Sequence, residues 1–169
     1  RDQVMENMTT KELRGFYDLI CEQVDKGDFA GAMMAHNIIL EGMAYAVYRY
    51  ESAYWSVFDP SLTQLIRGAF ADEVHHVRFG EAIIARYTKL GDESRNRMQR
   101  LAHDFHHLMT GVFESSIQHY IHLYQLVSDQ YMDVVGDIEI FQGKKMRDVS
   151  EKDQVYILLD QIQQEHSTR

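Results

Sequence analysis

A glutamate and a histidine lie three residues apart near the middle of the chain, at Glu73 and His76. In a helix this spacing places the carboxylate and the imidazole one above the other on the same face. Burying either polar group alone is costly. We therefore expect this pair to be hydrogen-bonded, ion-paired or bound to a metal. The other positions of the face are mostly apolar: Leu62, Ile66, Ala69, Gly80, Ile83 and Tyr87.

Glu41 is the second residue that could take part in such a site, because it is the only acidic residue within residues 29–48. One interpretation is structural, with Glu41 bonded to a tyrosine or paired with a buried arginine. The other is metal binding, since carboxylates neutralise cations and histidine supplies a nitrogen suited to iron or manganese. Tyr45 and Tyr48 share its face with Met34 and Ile38. These tyrosines could hydrogen-bond a ligand, be redox-active, or be core residues with satisfied hydroxyls.

Asp72 and His75 form a competing pair with the same spacing, one position earlier in the sequence. We prefer Glu73 and His76 as direct ligands. Asp72 is then expected to accept a hydrogen bond from a metal-bound histidine of another helix and so to orient it. His75 is interpreted as a packed or surface residue.

Long helices joined by short turns must position these residues. With one proline and ten glycines, the chain has few interruptions, and we find no convincing strand. We predict an all-α helix bundle in a single domain over residues 1–169. The predicted helices cover residues 9–25, 29–54, 61–90 and 92–127, a short helix within 129–142 ended by Gly143, and a last helix that begins after a cap at Ser150.

Composition excludes several classes of protein. The net charge of -9 argues against nucleic acid or an anionic membrane surface as partner. No run of 18 apolar residues is present, so no membrane span is predicted. Cys21 is the only cysteine, which excludes an internal disulfide and favours a reducing cytoplasm. The chain begins at Arg1 without methionine and ends at Arg169 without a helix terminator, so we expect a processed or trimmed chain.

Glu41 followed by Asp72-Glu73-x-x-His76 resembles the ferritin-like non-heme diiron oxygenases and oxidases, and is nearest in pattern to the aminoarene N-oxygenase group. The matching stretch covers roughly residues 29–90, about a third of the chain. The resemblance implies a ferritin-like bundle of four core helices with accessory N-terminal and connecting helices. It also implies two iron ions, with iron and manganese as an alternative, and dioxygen as co-substrate.

In that family a second glutamate helix and a second Glu-x-x-His helix complete the ligand set. Glu114 is the residue we expect as third carboxylate, against a structural or surface role, and Glu139 is the fallback. The last helix carries Gln163-x-x-His166, where the family has glutamate in the first position. His166 is thus an expected ligand, with Gln163 as a neutral substitute and Asp160 as an alternative carboxylate. The glutamine removes one negative charge and one bridging group from the second half of the site.

The resemblance implies an oxygen-activating diiron enzyme that acts on a small organic substrate in an apolar pocket. Electrons would come from an external donor, because no flavin or ferredoxin motif is present. A homodimer is compatible with this function. Two alternatives remain open at this point: a ferritin-type protein that oxidises and stores Fe(II), and a non-catalytic ferritin-like domain with a degenerate metal site.

Overall fold

The computed structural model describes residues 9–167, with side chains described as far as residue 164. The described chain is predominantly helical, which confirms the all-α class. The α-helices are α1 (Lys11–Asp25), α2 (Phe29–Met33), α3 (Glu41–Trp55), α4 (Pro60–Thr88), α5 (Asp92–Gln130), α6 (Met132–Val135) and α7 (Glu151–Ser167).

The predicted helix starts are confirmed at three places. The Thr10 side chain accepts a hydrogen bond from a backbone N–H in the first turn of α1. Asp59 does the same for α4, whose first residue is Pro60. Ser150 accepts the equivalent bond at the start of α7. Each cap satisfies a backbone donor that has no partner inside its helix.

A π-helix over Met34–Leu40 separates α2 from α3, and the sequence analysis did not predict it. The backbone N–H of Glu41 bonds to the carbonyl of His36, five residues earlier, instead of four as in an α-helix. The helical stretch predicted over residues 29–54 is therefore present, but the segment Met34–Leu40 within it has a different register.

A short helix does form within residues 129–142, but it ends well before Gly143, and the expectation of no strand was wrong. Only the short α6 forms there, and Glu139–Phe141 pairs antiparallel with Lys144–Lys145. Gly143 does not end a helix. It takes a φ of 73° in the turn of this hairpin, a conformation that glycine adopts without steric cost. Its backbone N–H donates to the Glu139 carboxylate at 2.7 Å, which further favours the turn.

The described residues fall into two compact units, each built from two segments. The first joins the chain up to Gly42 with His75–Ser115, and the second joins Met43–Val74 with residues from Ser116 onward. In the first unit, Phe16 and Phe105 are buried and pack edge to face with ring centroids 5.4 Å apart.

The core of the second unit is rich in tyrosine. Tyr50 and Tyr54 of α3 pack edge to face on Tyr124 of α5, with ring centroids 5.3 and 4.5 Å away. Tyr120 and Tyr124 both donate to the Glu51 carboxylate, at 2.9 and 3.3 Å. Burial raises the pKa of Tyr50 and of Tyr120 above the ordinary tyrosine value, so these hydroxyls remain protonated.

None of the helices between residues 9 and 167 combines the length and the apolar content that a membrane crossing requires.

Candidate metal centre

Glu41, Glu73 and His76 converge on one point of the structure. Each offers one ligand atom, and the three atoms lie within 4.8 Å of one another. Within the described residues this is the only group of three or more acidic, histidine or cysteine side chains with that property. The three residues that the sequence analysis selected first are therefore brought together.

The three side chains differ in exposure. Glu41, the first residue of α3, has a side chain that is only 9% exposed, whereas that of His76 is 53% exposed. Glu73 is half-buried, one helical turn before His76 on α4. Ile66 and Gly80 on the same face of α4 are buried, whereas His76 is exposed. The group thus has one side in the protein and one side open to solvent.

Gly80 allows the π-helix to approach α4 closely. A Cβ added at Gly80 would lie 2.7 Å from the Cβ of Asn37 and 3.1 Å from Cδ1 of Ile38. Carbon atoms are not found this close, so any larger residue would push the two helices apart. The Asn37 side chain also donates a hydrogen bond to the backbone carbonyl of His76 at 3.0 Å. This contact fixes the π-helix against the turn of α4 that carries the histidine.

The Glu41 carboxylate lies between two imidazoles. Its Oε1 is 3.2 Å from Nδ1 of His76 and 3.2 Å from Nδ1 of His36. The sequence analysis missed His36, because five residues in an α-helix correspond to a rotation of about 140° away from Glu41. In the π-helix the two residues are neighbours. The only signal in the sequence for this contact is a histidine five positions before an isolated glutamate. A search with α-helical periodicity does not detect that spacing.

Glu73 is held by two tyrosines of α3. The hydroxyl of Tyr48 donates to Oε1 of Glu73 at 3.2 Å, and that of Tyr45 donates to its backbone carbonyl at 3.3 Å. Tyr45 also packs edge to face on Phe70, with ring centroids 5.1 Å apart. Tyr48 thus bonds a candidate ligand, whereas Tyr45 is a buried core residue whose hydroxyl is satisfied by a backbone carbonyl. A carboxylate with one oxygen already bonded keeps a defined orientation for its other oxygen.

The donor set and its spacing fit a divalent transition metal. Atoms about 2.1 Å from one cation, at angles between 90° and the tetrahedral angle, lie about 3.0–3.4 Å apart. The 3.2 Å between Glu41 Oε1 and His76 Nδ1 falls in that range. Two carboxylates would neutralise a 2+ charge, and one neutral imidazole nitrogen with two oxygens suits iron or manganese.

The second half of the predicted ligand set does not join this group in the part of the chain that the structure describes. Glu114 is exposed on α5, and Glu139 is exposed in the hairpin. Gln163 is exposed, and Asp160 is exposed and accepts a hydrogen bond from Gln164. The side chain of His166 lies outside the described residues.

The competing pair on α4 lies at the surface. Asp72 is exposed, as is His75. The surface interpretation of His75 is confirmed. A contact between Asp72 and a metal-bound histidine of another helix stays a prediction.

An open cleft of about 700 Å³ lies farther along α4, in the first unit. Phe29, Ile83 and Tyr87 provide apolar walls, and Arg86 and Arg97 also line the cleft. Arg97 forms an ion pair with Asp28 and donates to the Tyr87 hydroxyl at 2.7 Å. Sequence reasoning did not single out this cleft, because its walls come from three separate stretches of the chain.

No family model matches the chain, and no curated protein matches it either.

Proposed function

We propose that the chain is an oxygen-activating, iron-dependent oxidoreductase with a ferritin-like arrangement of helices, and that Glu41, Glu73 and His76 are metal ligands. The observation that carries this proposal is the convergence of two carboxylates and one imidazole within 4.8 Å. The proposed full complement is two iron ions, with iron and manganese as an alternative.

Bound iron would supply the redox chemistry that activates dioxygen, which amino acid side chains do not provide. The protein's own residues would do the rest. Glu41 and Glu73 would neutralise the charge of the cation, and the Tyr48 hydroxyl would hold the Glu73 carboxylate in one orientation. Asn37 would hold the backbone of His76. Because His76 is half exposed, the open side of the group would admit small molecules from solvent.

The proposed substrate is a small organic molecule. Ile83 and Tyr87 of the cleft along α4 lie seven and eleven residues beyond His76 on its helix face. At 1.5 Å per residue these separations are about 10.5 and 16.5 Å along the axis, so these walls are too far away to touch a substrate in contact with the metal. An external donor would supply electrons. We also propose a cytoplasmic location, where the free thiol of Cys21 would stay reduced.

Anaerobic titration with Fe(II) tests the metal centre. We expect the wild-type protein to bind iron, and Glu41→Gln and His76→Ala to weaken binding by at least about tenfold, since even partners of metal ligands contribute that much. His75→Ala is the matched control, because His75 is the exposed neighbour of His76 on the same helix. Equal affinities for His75→Ala and His76→Ala would contradict the proposed ligand set.

Exposure of the iron-loaded protein to oxygen then distinguishes the functions. Oxygen consumption that increases with an organic substrate and a reductant supports an oxidoreductase. Oxidation of excess Fe(II) without substrate, with retained ferric mineral, would instead support iron storage. A protein that binds no iron would contradict the proposed function and favour the non-catalytic alternative.

A further inference from the structure

We infer that His36 is a metal ligand and provides the nitrogen of a second cation position that shares the Glu41 carboxylate. This inference rests on the proposed metal centre. It starts from a symmetry in the distances, because Nδ1 of His36 and Nδ1 of His76 are both 3.2 Å from the same Glu41 oxygen. Glu41 is thus placed between two imidazoles, one from each of two helices.

His36 does not belong to the group of three whose ligand atoms all lie within 4.8 Å of one another. Ligands of a single cation at about 2.1 Å are at most about 4.2 Å apart, even on opposite sides of it. His36 therefore cannot share one cation with all three residues as they stand. A second cation next to Glu41 accounts for both observations, since carboxylates commonly bridge two ions about 3.5–4 Å apart.

The π-helix supplies the reason for the position of His36. The backbone bond from Glu41 to the His36 carbonyl brings these two residues into register, and this register differs from that of the α-helices on either side. π-helical turns are rare and occur frequently at functional sites. The contact of Asn37 and Ile38 with Gly80 holds this segment against α4, so the imidazole approaches Glu41 from a fixed backbone.

The chemistry of the donor also fits. The His36 side chain is 59% exposed, whereas that of Glu41 is 9% exposed. The exposed imidazole thus reaches the buried carboxylate from the solvent side, where a second ion has room for water ligands.

The number of Co(II) ions bound per chain tests this inference. Equilibrium dialysis with metal analysis and the visible absorption of Co(II) give the stoichiometry without any activity measurement. We expect two ions for the wild-type protein and one for His36→Ala, with His75→Ala as the control that retains two. His36→Gln separates two roles, because glutamine can still hydrogen-bond to Glu41 but is a poor metal ligand. We expect it to bind one ion.

The outcomes distinguish this inference from the proposed function. Two ions in the wild-type protein and one in both His36 variants support it. One ion in the wild-type protein and one in the variants would be consistent with the proposed metal centre but would contradict the second cation position. Two ions in His36→Gln would also contradict the second position. No bound Co(II) in the wild-type protein would overturn both. Circular dichroism of each variant checks that the helices are retained.

Discussion

Replacing Gly80 with alanine tests whether the close approach of the π-helix and α4 builds the candidate metal centre. The added Cβ would lie 2.7 Å from the Cβ of Asn37. That atom is attached directly to the backbone, so it cannot move away without moving the helix. Overpacking of this kind costs about 1–3 kcal/mol. It is partly offset by the helix propensity of alanine, which exceeds that of glycine by about 1 kcal/mol.

Gly68 provides a matched control on the same helix. A Cβ at Gly68 meets no atom within 4 Å, so Gly68→Ala should gain the helix propensity without any clash. The propensity is common to both variants and cancels in their comparison. We therefore expect Gly80→Ala to be about 1–3 kcal/mol less stable than Gly68→Ala, as measured by urea unfolding.

The two variants should also differ in metal affinity. Displacement of the π-helix would move Glu41 and His36 relative to His76, and ligand misplacement of this size weakens binding by about tenfold or more. Gly68→Ala should keep the wild-type Co(II) affinity. If Gly80→Ala were as stable as Gly68→Ala and bound Co(II) equally well, the reasoning from this contact would be refuted.

Three further predictions concern hydrogen bonds and titration. Tyr48→Phe removes the bond to the Glu73 carboxylate and should weaken Co(II) binding by about 2- to 13-fold, measured by titration, because such bonds contribute about 0.5–1.5 kcal/mol. Gln154→Leu leaves the buried Tyr50 hydroxyl without its acceptor and should lower the free energy of unfolding by about 1–3 kcal/mol in urea. Burial raises the pKa of Tyr50 and of Tyr120. Below about pH 10 both groups are protonated in the folded and in the unfolded protein, so their contribution to stability is complete. Above about pH 10 the unfolded protein loses these protons first, and the free energy of unfolding should fall by at most about 1.4 kcal/mol per pH unit for each group.

Each of these predictions has a control. Tyr156 is exposed, so Tyr156→Phe should leave Co(II) affinity unchanged, and an equal loss in both tyrosine variants would count against the role of Tyr48. Gln163→Leu changes an exposed glutamine of the same helix as Gln154 and should alter stability by less than about 0.5 kcal/mol. Stability that stays constant between pH 9 and 11 would contradict the tyrosine argument.

Local signals in the sequence were sufficient for most of the helices. Thr10, Asp59 and Ser150 precede apolar periodic stretches, and each caps the helix that follows. The hairpin was missed because Glu139–Phe141 is short and its register shifts within the pair, so no regular alternation marks it. The turn at Gly143 favours the hairpin. From the sequence alone, a glycine at this position is equally consistent with the end of a helix.

The candidate metal ligands were predictable where an α-helical period applies. Glu73 and His76 are three residues apart in an unbroken helix, and the isolation of Glu41 among apolar residues was visible in the sequence. The exposure of His76 was not predictable, since the composition of one helix face does not determine how much of it the rest of the fold covers. His36 was hidden for a different reason, because its relation to Glu41 exists only in the π-helical register.

The π-helix therefore links the fold to the proposed chemistry. An α-helix through Met34–Leu40 would turn His36 away from Glu41 by about 140°, and the buried carboxylate would lose its contact with the His36 imidazole. The π register instead puts a second imidazole 3.2 Å from the same oxygen. Because a π turn is less favourable than an α turn, the contacts of Asn37 with Gly80 and with the His76 carbonyl must compensate for it. The residues that stabilise the unusual register are thus the ones that hold the candidate ligands together.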